Sequence, residues 1–139
     1  TINYSDRIKF IEYCIKHKYQ NLGIILIDGI ADLVSDVNNI EETNAVVQKI
    51  MELSALYNIH IICVIHSNFG SEKMTGWLGS SIEKKCELQI QLEANTVNKD
   101  WITVKCKRSR GFPFETFSFQ VNDLGLPEVV GNFYDPLKP

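Results

Sequence analysis

The sequence predicts an α/β fold: parallel strands at the core, followed by an antiparallel C-terminal extension. Three observations carry that expectation. Residues 23–27 and 59–65 are continuous apolar runs, as in strands covered on both faces. A stretch of helical period lies between them. From Leu88 onward apolar and polar residues alternate strictly, as in strands with one wet face. Two parallel strands joined by a helix require a right-handed crossover.

Ser5 or Asp6 is placed to cap a first helix ending near Lys18. Ile8, Ile11 and Ile15 recur at spacings of three and four, and His17 and Lys18 suit the negative end of the helix dipole. The first apolar run then stops sharply at Asp28-Gly29. A polar connection, residues 32–39, offers Asn38 or Asn39 as the next cap. Residues 41–57 form the second helix, with Val46 or Val47, Ile50 and Leu53 on one stripe and Glu42, Lys49 and Glu52 facing water. Asn58 closes it in a left-handed turn. The second apolar run ends at His66-Ser67-Asn68.

Residues 69–79 contain three glycines and little periodicity, so they are expected to be a loop, and long loops in compact domains tend to carry function. A short helix is expected over 80–85. Residues 88–92, 101–107 and 115–121 alternate, with Gly111-Phe112-Pro113 as a turn between the last two. Residues 1–125 form the expected domain. Residues 126–139, which hold Pro127, Pro136 and Pro139, form an expected irregular tail.

The chain has 139 residues, a formal charge of −3, and is 45% hydrophobic, 22% charged and 10% aromatic. That is enough apolar material for one domain and too much for wholesale disorder. The apolar runs fall far short of the ~18–20 residues a membrane-spanning helix needs. A mildly acidic balance argues against coating nucleic acid by bulk charge, while leaving room for a local basic patch. Cys14, Cys63, Cys86 and Cys106 are widely spaced, with no Cys-x-x-Cys, so zinc and redox motifs find no support. Free thiols and a start lacking a secretory leader's basic and apolar segments point to the cytoplasm.

In open α/β sheets, functional groups gather beyond the carboxyl ends of parallel strands. Asp28 and His66 occupy those places. A carboxylate at a strand mouth can hold magnesium, often through water, or can cap the turn at Gly29. A neutral imidazole there can donate to a phosphate oxygen or serve only structure. A third feature is Lys105-Cys106-Lys107-Arg108-Ser109-Arg110-Gly111, four basic residues within six positions. Arg108 and Arg110, two apart beside a turn, can reach one anion, either a phosphate or a nucleic-acid backbone, or can form a solvated hairpin tip. The sequence contains no G-x-x-x-x-G-K-[ST], no G-x-G-x-x-G and no G-x-S-x-G.

In order, four segments resemble the C-terminal half of a RecA-like P-loop ATPase core, of the DnaB-type and RepA-type replicative helicases and the KaiC/RadA group. Ile24-Ile25-Leu26-Ile27-Asp28 looks like a Walker B strand. The helix at 41–57 and Ile61-Ile62-Cys63-Val64-Ile65-His66-Ser67 resemble the next helix and the strand that senses the γ-phosphate. Gly79-Ser80-Ser81-Ile82 is similar to the Gly-Ser opening the following helix, and Arg108-Ser109-Arg110-Gly111 with Pro113 to the finger turn. The likeness spans residues 6–121 and implies part of a three-layer RecA-like fold.

By that resemblance Asp28 would position Mg2+ and water, and His66 would sense the phosphate of ATP. Arg108 and Arg110 would act on a neighbouring subunit's nucleotide in a homo-oligomeric ring or filament. The loop at 68–78 would meet single-stranded DNA, chiefly through Lys73 and Trp77. The Walker A segment and the family's catalytic Glu are not in this chain, so hydrolysis of ATP by the chain alone is not expected. The missing strand would sit beside residues 59–65, leaving an apolar edge that the strand at 88–92, or a second chain, is expected to cover. Two other possibilities stay open: a degenerate RecA-like assembly or regulatory module without turnover, and a receiver-like domain with Asp28 in an acidic phosphate site.

Overall fold

The computed structural model describes residues 3–67 and 74–131. Its element order is α1 (Tyr4–His17), β1 (Ile24–Asp28), a 3-10 turn (Ile30–Leu33), α2 (Ile40–Tyr57), β2 (His60–Val64), α3 (Gly76–Lys85), β3 (Leu88–Ala94), β4 (Trp101–Ser109), β5 (Phe117–Val121) and β6 (Pro127–Val130). The chain divides into two compact units, Thr1–Lys85 and Cys86–Pro139. It is a mixed α/β architecture, with one parallel and one antiparallel sheet.

In the first unit β1 and β2 pair in parallel, with Ile24 opposite His60 and Asp28 opposite Val64. Side chains alternate along each strand, so Ile25, Ile27, Ile61 and Cys63 share one face. That face packs into a core with Ile30, Leu33, Val46, Val47 and Leu78. Ile15, Leu53 and Ile59 make a second cluster. The other face is open: Ile24 is 57% and Leu26 65% exposed. This corrects the expectation of strands covered on both sides, because among the described residues the helices pack on one side only.

Local chemistry sets the helix ends. Asn3, rather than Ser5 or Asp6, caps α1: its side chain accepts from the Asp6 N–H at 2.9 Å, and the Ser5 hydroxyl donates to the same oxygen. Asn39 caps α2 by accepting from the Glu42 N–H, and Asn58 ends it at φ 51°, as expected. The chain leaves β1 through Gly29 at φ 86°, a conformation glycine adopts without steric cost, and enters the 3-10 turn.

α3 begins at Gly76, four residues before the position expected for it. Gly76 has φ 64° and Gly79 lies against Met74, so these glycines serve turning and close approach inside a helical start. β2 pairs only with β1 among the described residues, and β3 pairs with β4. The strand at 88–92 therefore forms no ladder with β2.

The second unit is an antiparallel meander in the order β3-β4-β5-β6. Pro127 opens β6 opposite Val121, so part of the expected irregular tail is a strand; proline is tolerated there because it is the first residue of an edge strand. Leu92, Val104 and Phe117 lie in one cross-strand row, and Ala94, Ile102, Phe119 and Val129 in the next. Only Val104, shielded by its neighbours, is buried on this apolar face, while Leu88, Ile90 and Leu92 are exposed. The opposite face is polar and partly covered by itself, with Asn95 donating to Thr103 and Thr103 bonded to Ser118. The alternation is as expected, but the apolar side of β3 is the wetter one.

Candidate functional site

Asp28 is the last residue of β1, and His66 lies two residues past Val64, its strand partner. Both therefore sit at the carboxyl-terminal edge of one parallel pair, and both are exposed. Asp28 projects to the open face, in line with Ile24 and Leu26. Among the described residues its carboxylate has no hydrogen bond or ion pair, so the turn-capping alternative has no bond to rest on.

His66 is held through its backbone. The Thr75 hydroxyl donates to the His66 carbonyl at 2.9 Å, and the Thr75 N–H points to the same oxygen at 3.4 Å. Ser67 and Met74 form an isolated antiparallel bridge beside it. With its main chain fixed, the imidazole remains at the surface of the edge. Sequence reasoning missed Thr75, because a hydroxyl nine residues past His66, inside the loop expected at 69–79, carries no local signal.

The connection after β1 is tied down as well. Arg7 reaches Asp32 twice, to the carboxylate at 3.4 Å and to the carbonyl at 3.1 Å. Glu42 accepts from the Ser35 N–H at 3.0 Å and the Ser35 hydroxyl at 2.7 Å, and those bonds hold its carboxyl below the usual carboxylate range. The start of α3 joins this connection: the Leu78 N–H donates to the Val37 carbonyl at 3.0 Å, and Ser81 donates to Asn44 at 2.7 Å. Gly79-Ser80-Ser81 thus works as a packing joint between α3, α2 and the loop after β1. Burial pushes the Cys63 thiol, behind this edge, up to about 11.

Trp77 is half exposed on the first turn of α3. Lys73 lies outside the described residues. Arg108 and Arg110 belong to the second unit. Arg108 is within β4, opposite Gln89, rather than beyond the strand. The Arg110 N–H donates to the Glu87 carbonyl at 2.9 Å, and its guanidinium lies 3.6 Å from the Glu87 carboxylate.

Among the described residues no group of three or more His, Cys, Asp or Glu side chains could enclose a metal ion. A magnesium ion bound with a nucleotide needs less: one or two carboxylates plus phosphate oxygens and water. The exposed, unbonded carboxylate of Asp28 fits that donor requirement. All four cysteines are free, and no helix among the described residues is long and apolar enough to cross a membrane. No protein-family model matches the chain, and no curated protein matches it.

Proposed function

We propose that this chain is the C-terminal part of a RecA-like ATPase core from a DNA motor of replicative or mobilisation-helicase type. The observation that carries the proposal is the placement of Asp28 and His66 at the carboxyl-terminal edge of one parallel strand pair. Asp28 would hold Mg2+, directly or through water, and His66 would meet a terminal phosphate of ATP. The metal supplies charge neutralisation at the phosphates. The chain's own residues orient: Thr75 fixes the His66 backbone, and Arg7 fixes the connection that follows Asp28. Arg108 and Arg110 would reach a neighbouring copy's nucleotide in a ring or filament. Lys73 and Trp77 would contact single-stranded DNA.

The sequence holds no phosphate-cradling G-x-x-x-x-G-K-[ST]. A part of a longer chain lacks that loop whichever possibility holds, and a RecA-like assembly or regulatory module without turnover stands as the second. One experiment separates them. The open reading frame is expressed with the sequence encoded upstream of Thr1, and ATP hydrolysis is measured for wild type and Asp28→Asn. A motor shows turnover that Asp28→Asn removes by at least about 100-fold with melting unchanged, since phosphoryl transfer depends on the metal's position. Equal turnover in both returns Asp28 to a structural role, and no turnover in either selects the module.

A further inference from the structure

The connection between β4 and β5 holds a side chain that the triphosphate role does not use. Phe112 is fully exposed, at 101%. A single exposed apolar side chain is ordinary on a protein surface, so this ring matters for the residues that flank it in the chain. Two residues on, Phe114 is half-buried, its ring 6.1 Å from that of Phe117. Phe112 is displayed by a wired turn. Ser109 Oγ accepts from the Gly111 N–H at 3.1 Å and donates to the Phe112 carbonyl at 3.4 Å, and Pro113 fixes the next φ.

Cations surround this ring in sequence and are gathered by the sheet. Residues 105–115 contain Lys105, Lys107, Arg108 and Arg110 against the single carboxylate of Glu115, in a chain of net charge −3. Regular alternation would send Lys105 and Arg108 to opposite faces. A bulge changes that: Lys105 lies opposite Gln91 and Arg108 opposite Gln89, two apart on β3, so both basic residues share a face. Lys107 is the extra residue of the bulge. Glu93 pairs with Lys105, and Glu87 pairs with Arg110, at the rim of the same surface.

A flat apolar ring on a turn that leaves a basic strand end, two residues after Arg110, matches an unpaired nucleic-acid strand, which offers base faces to stack and phosphates to neutralise. A duplex hides its base faces, and a lone anion has no use for the phenyl ring. We infer that the β4–β5 turn docks single-stranded nucleic acid, with Phe112 stacking on a base and Lys107, Arg108 and Arg110 beside the phosphates. The site needs no nucleotide cofactor, and it shares Arg108 and Arg110 with the proposed triphosphate role.

The test uses the 139-residue chain without nucleotide, at low salt. Fluorescence anisotropy follows labelled oligo-dU and oligo-U of about 15 nucleotides, the upper range of such sites, a blunt duplex, and labelled ATP. Both single strands are expected to bind, the tighter one identifying the natural sugar. Phe112→Ala should weaken binding about tenfold at unchanged melting temperature, and Phe112→Trp should restore it. Lys107→Gln should flatten the salt dependence by about 0.7 in log–log slope. Equal affinity for the duplex, or no effect of Phe112→Ala, overturns the inference. So does binding of ATP without binding of either oligonucleotide, an outcome that leaves Arg108 and Arg110 to the triphosphate.

Discussion

Glu12 accepts from two lysines on different helices, Lys16 on α1 at 2.7 Å and Lys49 on α2 at 2.9 Å. The hydrogen bond from Lys16, then that from Lys49, holds its carboxyl at about 2, well below the ordinary 4.5. A carboxyl depressed by folding contributes stability that is fully present above its unfolded value and lost as pH falls toward the folded one. Melting temperature should therefore fall for wild type between about pH 4.5 and 2 by more than for Glu12→Gln, and the gap between the two should close across that window. A gap constant down to pH 2 would remove Glu12 from the acid response. At this scale the caps Asn39 and Asn58 were legible from residue type and position. The bond to Lys49 was not, because its partners lie on separate helices and no local pattern links them.

Among the elements, α3 best separates propensity from packing. Glycines at 76 and 79 read as loop by intrinsic preference. In the fold, a Cβ on Gly79 would overlap the Met74 Cβ, and one on Gly76 would lie 2.7 Å from the Val37 carbonyl oxygen. The helix starts where it does because both approaches are tight and Leu78 is fully buried beneath them. Gly79→Ala should cost about 1–3 kcal/mol in urea denaturation, as overpacking does in close-packed interiors. Gly125→Ala, with open space around its Cβ and φ 77°, instead reports left-handed backbone strain alone, which Gly79 lacks and Gly76 at φ 64° has in addition to its tight contact. The β4 bulge makes the same point for strands. Periodicity located β4, but its partner's register decided that Lys105 and Arg108 share a face.

For the whole molecule, the informative feature is apolar surface in water. Parallel sheets occur almost only with both faces covered, yet Ile24, Leu26 and Ile62 line an open face of β1 and β2. Under the proposed function, further strands and helices of the parent core would cover it. In the chain by itself this face should drive concentration-dependent association, visible by light scattering. Leu26→Ser should reduce that association while changing stability by no more than about 0.5 kcal/mol, as expected of an exposed position. Ile27→Ser, one residue along and buried in the core, should cost roughly 2–5 kcal/mol. A chain that stays dispersed at high concentration, with Leu26→Ser no different, would show that the open face is harmless.

The amino-acid order by itself determined the helices and strands β1 to β5 as types, the α/β class and the edge on which Asp28 and His66 both lie, because apolar period and the polar residues ending each run are local properties. Only the tertiary structure decided which strand faces were open, that β3 joined β4 instead of the β2 edge, that α3 began at Gly76, and which face the bulge gave to Arg108. Those outcomes depend on the free energy of contacts between distant segments, and a residue's neighbours in sequence carry no record of them.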